Sequence, residues 1–296
     1  MRSRGAEPVF TDIEWDHDVD VLCIGAEASV LAAGVVAAKA GSEVYLGVTE
    51  HSAGKGELAD ALSYSGADNP TSDHLAGFDY AFESNCRRQA CWPVRAVEDI
   101  TPPRSNRRET VPPFIGASLE HWARRCATAP NGVLYNRVGK RQMTELRSSG
   151  RGERVEAAVV GSIQLSPDVP AVSLLDWLRE RAAVSGLRPH TGVRLIRLVF
   201  DENGVAGAVL DTAEGVQTVR ARDNLVIGVG EPASDALPPL LSGRERVTVH
   251  VGLVSKVASR FGELEIITGA EAGNLLVFTQ QSAAADEPWI LESQCG

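Results

Sequence analysis

The run Asp18-Val19-Asp20-Val21-Leu22-Cys23-Ile24-Gly25 begins with alternating polar positions, turns continuously apolar and stops at a glycine. That pattern predicts a strand buried on both faces, as parallel strands are. Ala26–Ala40 follows, rich in alanine and valine and ending at Gly41, which predicts a packed helix closed by a glycine. Glu43–Val48 is a second apolar run and predicts the next strand. Strand, glycine turn, helix and strand within about thirty residues make a βαβ unit, whose crossover is right-handed in nearly all proteins.

Order returns at Ser173. Leu174, Leu175, Trp177, Leu178 and Ala182 form a helical stripe that ends near Gly186. Three extended segments come next, Gly192–Phe200, Val205–Leu210 and Gly215–Ala221, with turn signals at Asn203-Gly204 and Glu214-Gly215. They predict a β-meander. Asn224–Gly230 then reads as another buried strand running into glycines. Between these two ordered stretches the signal is weak. Gly, Ser, Asp and Pro are frequent over Ser52–Ser72, a helix is expected over Ala117–Ala127, and Val133–Val138 and Glu153–Gln164 are strand-like. Beyond Ser242 the pattern predicts strands at Val247–Val254 and Leu264–Thr268 and no comparable helix. The expected organisation is a flexible lead-in at 1–16, an α/β domain at 17–235 with a loop-rich insert at about 51–170, and a short β-rich extension at 236–296.

Charge and composition narrow the function. The 296 residues carry 39 acidic and 29 basic side chains, a net charge of −10, and no basic face to neutralise a nucleic-acid backbone. Arg104, Arg107 and Arg108 form a short basic stretch between prolines, the composition of a solvated loop. No apolar stretch reaches the ~20 residues of a membrane span, and no apolar segment follows the basic start Met1–Arg4. The expectation is a cytoplasmic protein. Five cysteines do not make a disulfide framework, and Cys86 and Cys91 lack zinc-knuckle spacing and a second pair, so no metal site is expected.

Taken together, the Val19–Glu50 unit and the helix, meander and strand of Leu174–Gly230 resemble the FAD-dependent oxidoreductases of the fumarate reductase and 3-ketosteroid dehydrogenase type. The resemblance covers about a third of the chain. It implies an α/β fold of the FAD-binding-domain type, a Rossmann-like parallel sheet with a β-meander, shortened at the C-terminus, since 66 residues follow Gly230. It also implies FAD as cofactor, held around Gly25, Ala26, Glu27, Ser29, Glu50, Gly228 and Gly230, and a small apolar or carboxylate substrate. The glycine fingerprint is altered. Gly25 fills its first position, but Glu27 stands at the second, where the backbone meets the pyrophosphate, and Val30 at the third, where the helix packs on the strand. Val48 occupies the place of the ribose-binding acid, with Glu50 two residues later, while Val229 and Glu231 replace the threonine and glycine of the family's later turn. An acid at a helix N-terminus competes with a diphosphate, so weakened cofactor binding is expected. The alternative is a non-catalytic relative that binds a protein partner or small ligand. Tyr64, Tyr80, Tyr135 and Arg141 are the polar groups available in the middle third, none in a motif that makes it catalytic.

Overall fold

The computed structural model describes residues 13–50, 58–82, 92–101, 116–138, 143–149, 153–165, 173–230 and 247–269. The chain runs β1 (His17–Gly25), α1 (Glu27–Lys39), β2 (Val44–Thr49), α2 (Leu58–Ala61), α3 (Asn69–Ala76), α4 (Asp79–Phe82) and β3 (Val94–Thr101). It continues through α5 (Gly116–Thr128), β4 (Gly132–Tyr135), β5 (Thr144–Ser148), β6 (Arg154–Leu165) and α6 (Leu174–Val184). The last described elements are β7 (Pro189–Asp201), β8 (Gly204–Thr212), β9 (Gly215–Val229), β10 (Val247–Ser255) and β11 (Phe261–Gly269). The protein is α/β with a core dominated by sheet.

Strand pairing closes two rings. In the first, β1 lies parallel to both β2 and β9, β2 is parallel to β7, and the antiparallel pairs β7–β8 and β8–β9 complete the circle. Two strands change partner along their length. Residues 189–193 of β7 pair with β2 and residues 194–201 with β8, while β9 pairs with β8 over 215–220 and with β1 over 219–228. In the second ring β3, β5, β6, β10 and β11 pair in succession, and β11 returns parallel to β3. The short β4 joins the rings through antiparallel pairing with both β9 and β11. Closure leaves these strands few unpaired edges to template aggregation.

Side chains alternate between two cores, as a period of two requires. Leu22, Ile24, Leu134, Leu225 and Ile227 point to the core covered by α2, α3 and α5. Val21, Cys23, Val133 and Val226 point to the core that holds α1 and α6. Helix α1 is apolar almost all round, and Ala28 to Val35 are all buried, which fits a helix enclosed on several sides. It packs on β1, β2, β9 and α6 and also meets β6 and β10 of the second ring.

The described residues add detail to the expected organisation. The described residues of 51–170 supply β3, β5 and β6 of the second ring, the bridging β4 and the helices α2 to α5. The described residues of the β-rich 236–296 segment form β10 and β11, which pair with β6, β3 and β4. Of the lead-in, residues 1–12 lie outside the described residues, while 13–16 are anchored. Asp16 exchanges backbone and side-chain hydrogen bonds with Thr218, whose hydroxyl also donates to the Glu14 carbonyl. Moreover, the meander's third segment and the Asn224–Gly230 strand are one continuous strand, β9.

Leu22 is fully enclosed between β2 and β9. Leu22→Ala is therefore expected to lower the unfolding free energy by about 2–5 kcal/mol in urea melts.

Candidate functional site

The end of β1 is shaped by two glycines that need each other. Gly25 has φ +119°, a left-handed value that favours glycine, and a Cβ there would lie 2.2 Å from the Gly228 carbonyl oxygen. A Cβ on Gly228 would in turn lie 2.8 Å from the Ala26 carbonyl and 2.9 Å from Ser29 Cβ. The Ala26 N–H donates to the Gly228 carbonyl at 3.1 Å. Four of the residues expected around a cofactor, Gly25, Ala26, Ser29 and Gly228, thus meet at the first turn of α1. The close approach is between two backbone segments of the protein itself.

Glu27 does not lie as expected. It is the first residue of α1, with its carboxylate turned toward α6, where Arg179 grips it in a two-pronged ion pair at 2.7 and 2.9 Å. Arg179 also holds Asp176 at 2.9 Å, and these acids push its pKa further up. An acid at the start of a helix is favoured by the positive end of the helix dipole. The site therefore contains an anion and its counter-ion already. Val30 is buried within α1, and the tight helix-to-strand contact expected of its position falls one turn later: a Cβ on Gly34 would lie 2.5 Å from Leu46 Cδ2. An isolated glycine inside a helix is the signal that could have found this contact.

The remaining residues are not brought to this point. The strand register sets Gly25 opposite Val48, so Glu50 lies two residues beyond that level, exposed, with its backbone carbonyl accepting from the Ser63 hydroxyl at 3.0 Å. Gly230, at φ +80°, fits against Ala129 and Pro130 in the α5–β4 turn. Glu231 and Arg141 lie outside the described residues. Tyr64 caps α3, accepting from the Asp68 N–H at 2.9 Å while lying 3.1 Å from the Ser72 hydroxyl, and Tyr135 is buried. Neither those contacts nor the exposed Tyr80 assemble a catalytic set.

One feature of the loop still suits a phosphate: Ser29 Oγ is buried with no hydrogen-bond partner among the described residues. The rest does not fit one. The Glu27 carboxylate at the helix start is paired with Arg179, and Ala26, Ala28 and Ser29 are covered by protein.

A second polar centre, which sequence reasoning missed, lies under α5. Glu263 and Glu265 project from the same side of β11 and are fully buried. Glu265 accepts from Arg95 Nη2 at 2.7 Å and from Arg125 Nη2 at 3.0 Å, and Arg125 Nε also reaches Glu263 Oε2 at 3.0 Å. Arg95 extends the network to Ser148 and Glu153, and Lys256 pairs with Glu153 at 2.9 Å. Among the described residues Glu263 Oε1 has no hydrogen-bond partner, and neither has Oδ1 of buried Asn131. Burial, then the nearby charge of Glu265, push the Glu263 carboxyl up to about 7. No signal marked this cluster, since its members come from β3, α5, the α5–β4 turn and β11. Among the described residues no group of His, Cys, Asp or Glu is arranged to hold a metal ion, and no helix is long and apolar enough to cross a membrane.

No family model matches the chain, and neither does any curated protein. Solved structures to which it is similar include the open conformation of a flavocytochrome c3 fumarate reductase, at 16% identity and a TM-score of 0.27, over 70% of this chain and 33% of that one. A 3-ketosteroid-Δ4-(5α)-dehydrogenase from Rhodococcus jostii RHA1, in complex with 4-androstene-3,17-dione, is similar at 20% identity and a TM-score of 0.28, over 76% and 48%. A myxobacterial chondrochloren halogenase, a variant of the FAD-dependent halogenases, is similar at 16% identity and a TM-score of 0.26, over 70% and 36%. The chain spans less than half the length of each of these three.

The Glu263 shift sets a sign for stability against pH. A carboxyl with its folded-state pKa raised from 4.5 to about 7 binds more protons folded than unfolded, so its contribution falls as pH rises through that window and stays lost above it. Glu263→Gln, a neutral mimic of the protonated acid, is expected to unfold at a higher temperature than the wild type at about pH 8. The two melting temperatures should converge toward about pH 5.

Proposed function

We propose that this chain keeps a flavoprotein-type frame, a Rossmann-like parallel sheet with a β-meander, but holds its own carboxylate where a dinucleotide would place its diphosphate. On this reading it binds FAD weakly and acts as a non-catalytic relative of the FAD-dependent oxidoreductases, by binding a small ligand or a protein partner, in the cytoplasm. The observation that carries it is the two-pronged Glu27–Arg179 pair at the start of α1. Two like charges ~4 Å apart repel by about 4 kcal/mol at an effective dielectric of 20, so a diphosphate entering beside Glu27 meets a barrier that Arg179 offsets only in part. A second reading, a working FAD enzyme with an altered loop, is favoured by the unpartnered Ser29 hydroxyl in the first turn of α1.

Titration of FAD into wild type and Glu27→Gly, followed by flavin fluorescence, separates the two. Removing Glu27 frees both the helix start and Arg179, so the variant is expected to bind FAD about tenfold to a thousandfold more tightly than the wild type. An exposed ion pair contributes at most about 1 kcal/mol to stability, so the variant should fold. Tight binding by the wild type, with a flavin absorption band in the purified protein, would overturn the proposal. Absence of binding by both proteins would support the non-catalytic reading and place the obstacle beyond Glu27.

A further inference from the structure

Where β6 and β10 pair, Ile163, Val249 and Val251 belong to the core that holds α1 and α6. The alternate positions face away from α1, as a period of two requires. On that other face Ser162 stands directly opposite His250, and Gln164 opposite Thr248, so that four polar side chains share one patch. Exposure is graded across it: Gln164 is exposed, Ser162 and Thr248 are half-buried, and His250 is only 5% exposed. Ser162 Oγ lies 2.7 Å from His250 Nδ1. In the tautomer that carries its hydrogen on Nε2, Nδ1 accepts from the serine hydroxyl. A serine is a weak nucleophile until a base lies within roughly 2.6–3.2 Å of it. Strand pairing holds the two side chains in place, with β10 fixed on its other side by β11. Sites carried on strands are more precise than sites on loops. Access distinguishes this pair from a buried cross-strand hydrogen bond: the hydroxyl is half open, and the base behind it is shielded.

We propose that Ser162 is a nucleophile that takes small acyl groups from activated esters, with His250 as its general base and the Gln164 amide as donor to the developing oxyanion. Ser162 Oγ bonds to the acyl carbon while its proton passes to His250 Nδ1. The ester C–O bond then breaks, and the same proton leaves with the departing alcohol. Water completes the cycle: its oxygen attacks the acyl carbon, a proton passes to Nδ1 and on to Ser162 Oγ, and a carboxylic acid departs. A glutamine side chain is one of the groups that can stabilise the charge on the carbonyl oxygen. No oxidation or reduction occurs, so the reaction needs no flavin. The inference goes beyond the reading of the α1 locus and survives its failure, because the patch faces away from α1.

The probe is p-nitrophenyl acetate, added to the full chain without FAD. The expected result is nitrophenolate release that is largely lost in Ser162→Ala, with the acetyl group found on Ser162 when the acid-quenched wild type is mapped by peptide mass. His250→Gln should slow the release about a hundredfold, the scale of general-base catalysis. Gln164→Ala, at an exposed position, should slow it by about a hundredfold while the melting temperature stays unchanged. Should His250→Gln fail to fold, the map of the wild type decides: Ser162 must be acetylated ahead of the exposed Ser65. Release undiminished in Ser162→Ala, or acetylation of Ser162 no faster than that of Ser65, would overturn the proposal. The Ser162–His250 contact would then be a hydrogen bond that fixes the register of β6 on β10.

Discussion

The contact between Gly25 and Gly228 is the constraint on which most of this architecture depends. At the end of β1 its backbone comes so close to that of β9 that a Cβ would clash on either strand, and both positions are glycine. From that junction α1 is launched across the sheet with its first turn against β9. The long β9, continuous through the junction, then carries the order outward: its first half closes the meander ring and its end pairs with β4, the link to the second ring. The same junction explains why a glycine turn need not announce a ligand. Here the space a missing Cβ vacates is filled by the protein's own backbone.

Charge placement follows a similar logic of self-sufficiency at α1 and of internal debt elsewhere. At α1, Glu27 at the helix start and Arg179 satisfy one another near the surface. Under α5 two carboxylates share two guanidiniums, and among the described residues one carboxylate oxygen is left without a donor. Such a buried network rigidifies when every member is satisfied and is costly when one is not. A proton on Glu263 near neutral pH is the simplest way to reduce that cost.

The local elements were legible in the sequence because local rules produce them. The strand Val19–Ile24, the helix behind it and the turns at Asn203-Gly204 and Glu214-Gly215 each carry their own periodicity or turn chemistry, and the structure places strands and helix there. The second ring was not legible. Its closing pair, β3 with β11, is parallel and joins residues as far apart as Arg95 and Ile267, and nothing in either segment names the other. Four of the expected loop residues do converge, but the direction of Glu27 was hidden, because its partner Arg179 stands 152 residues away on a helix whose docking no local pattern describes.

Ring closure through β11 also orders events during synthesis. A ribosome delivers β3, β5 and β6 well before β10 and β11, and Arg95 waits through 170 further residues for Glu265. Until then β3 and β6 each present an unpaired edge, and Arg95 lacks its main acid. Nascent chains with open strand edges are prone to pair with one another. The lag between these strands is therefore the stretch of translation at which a molecular chaperone would matter most for this protein.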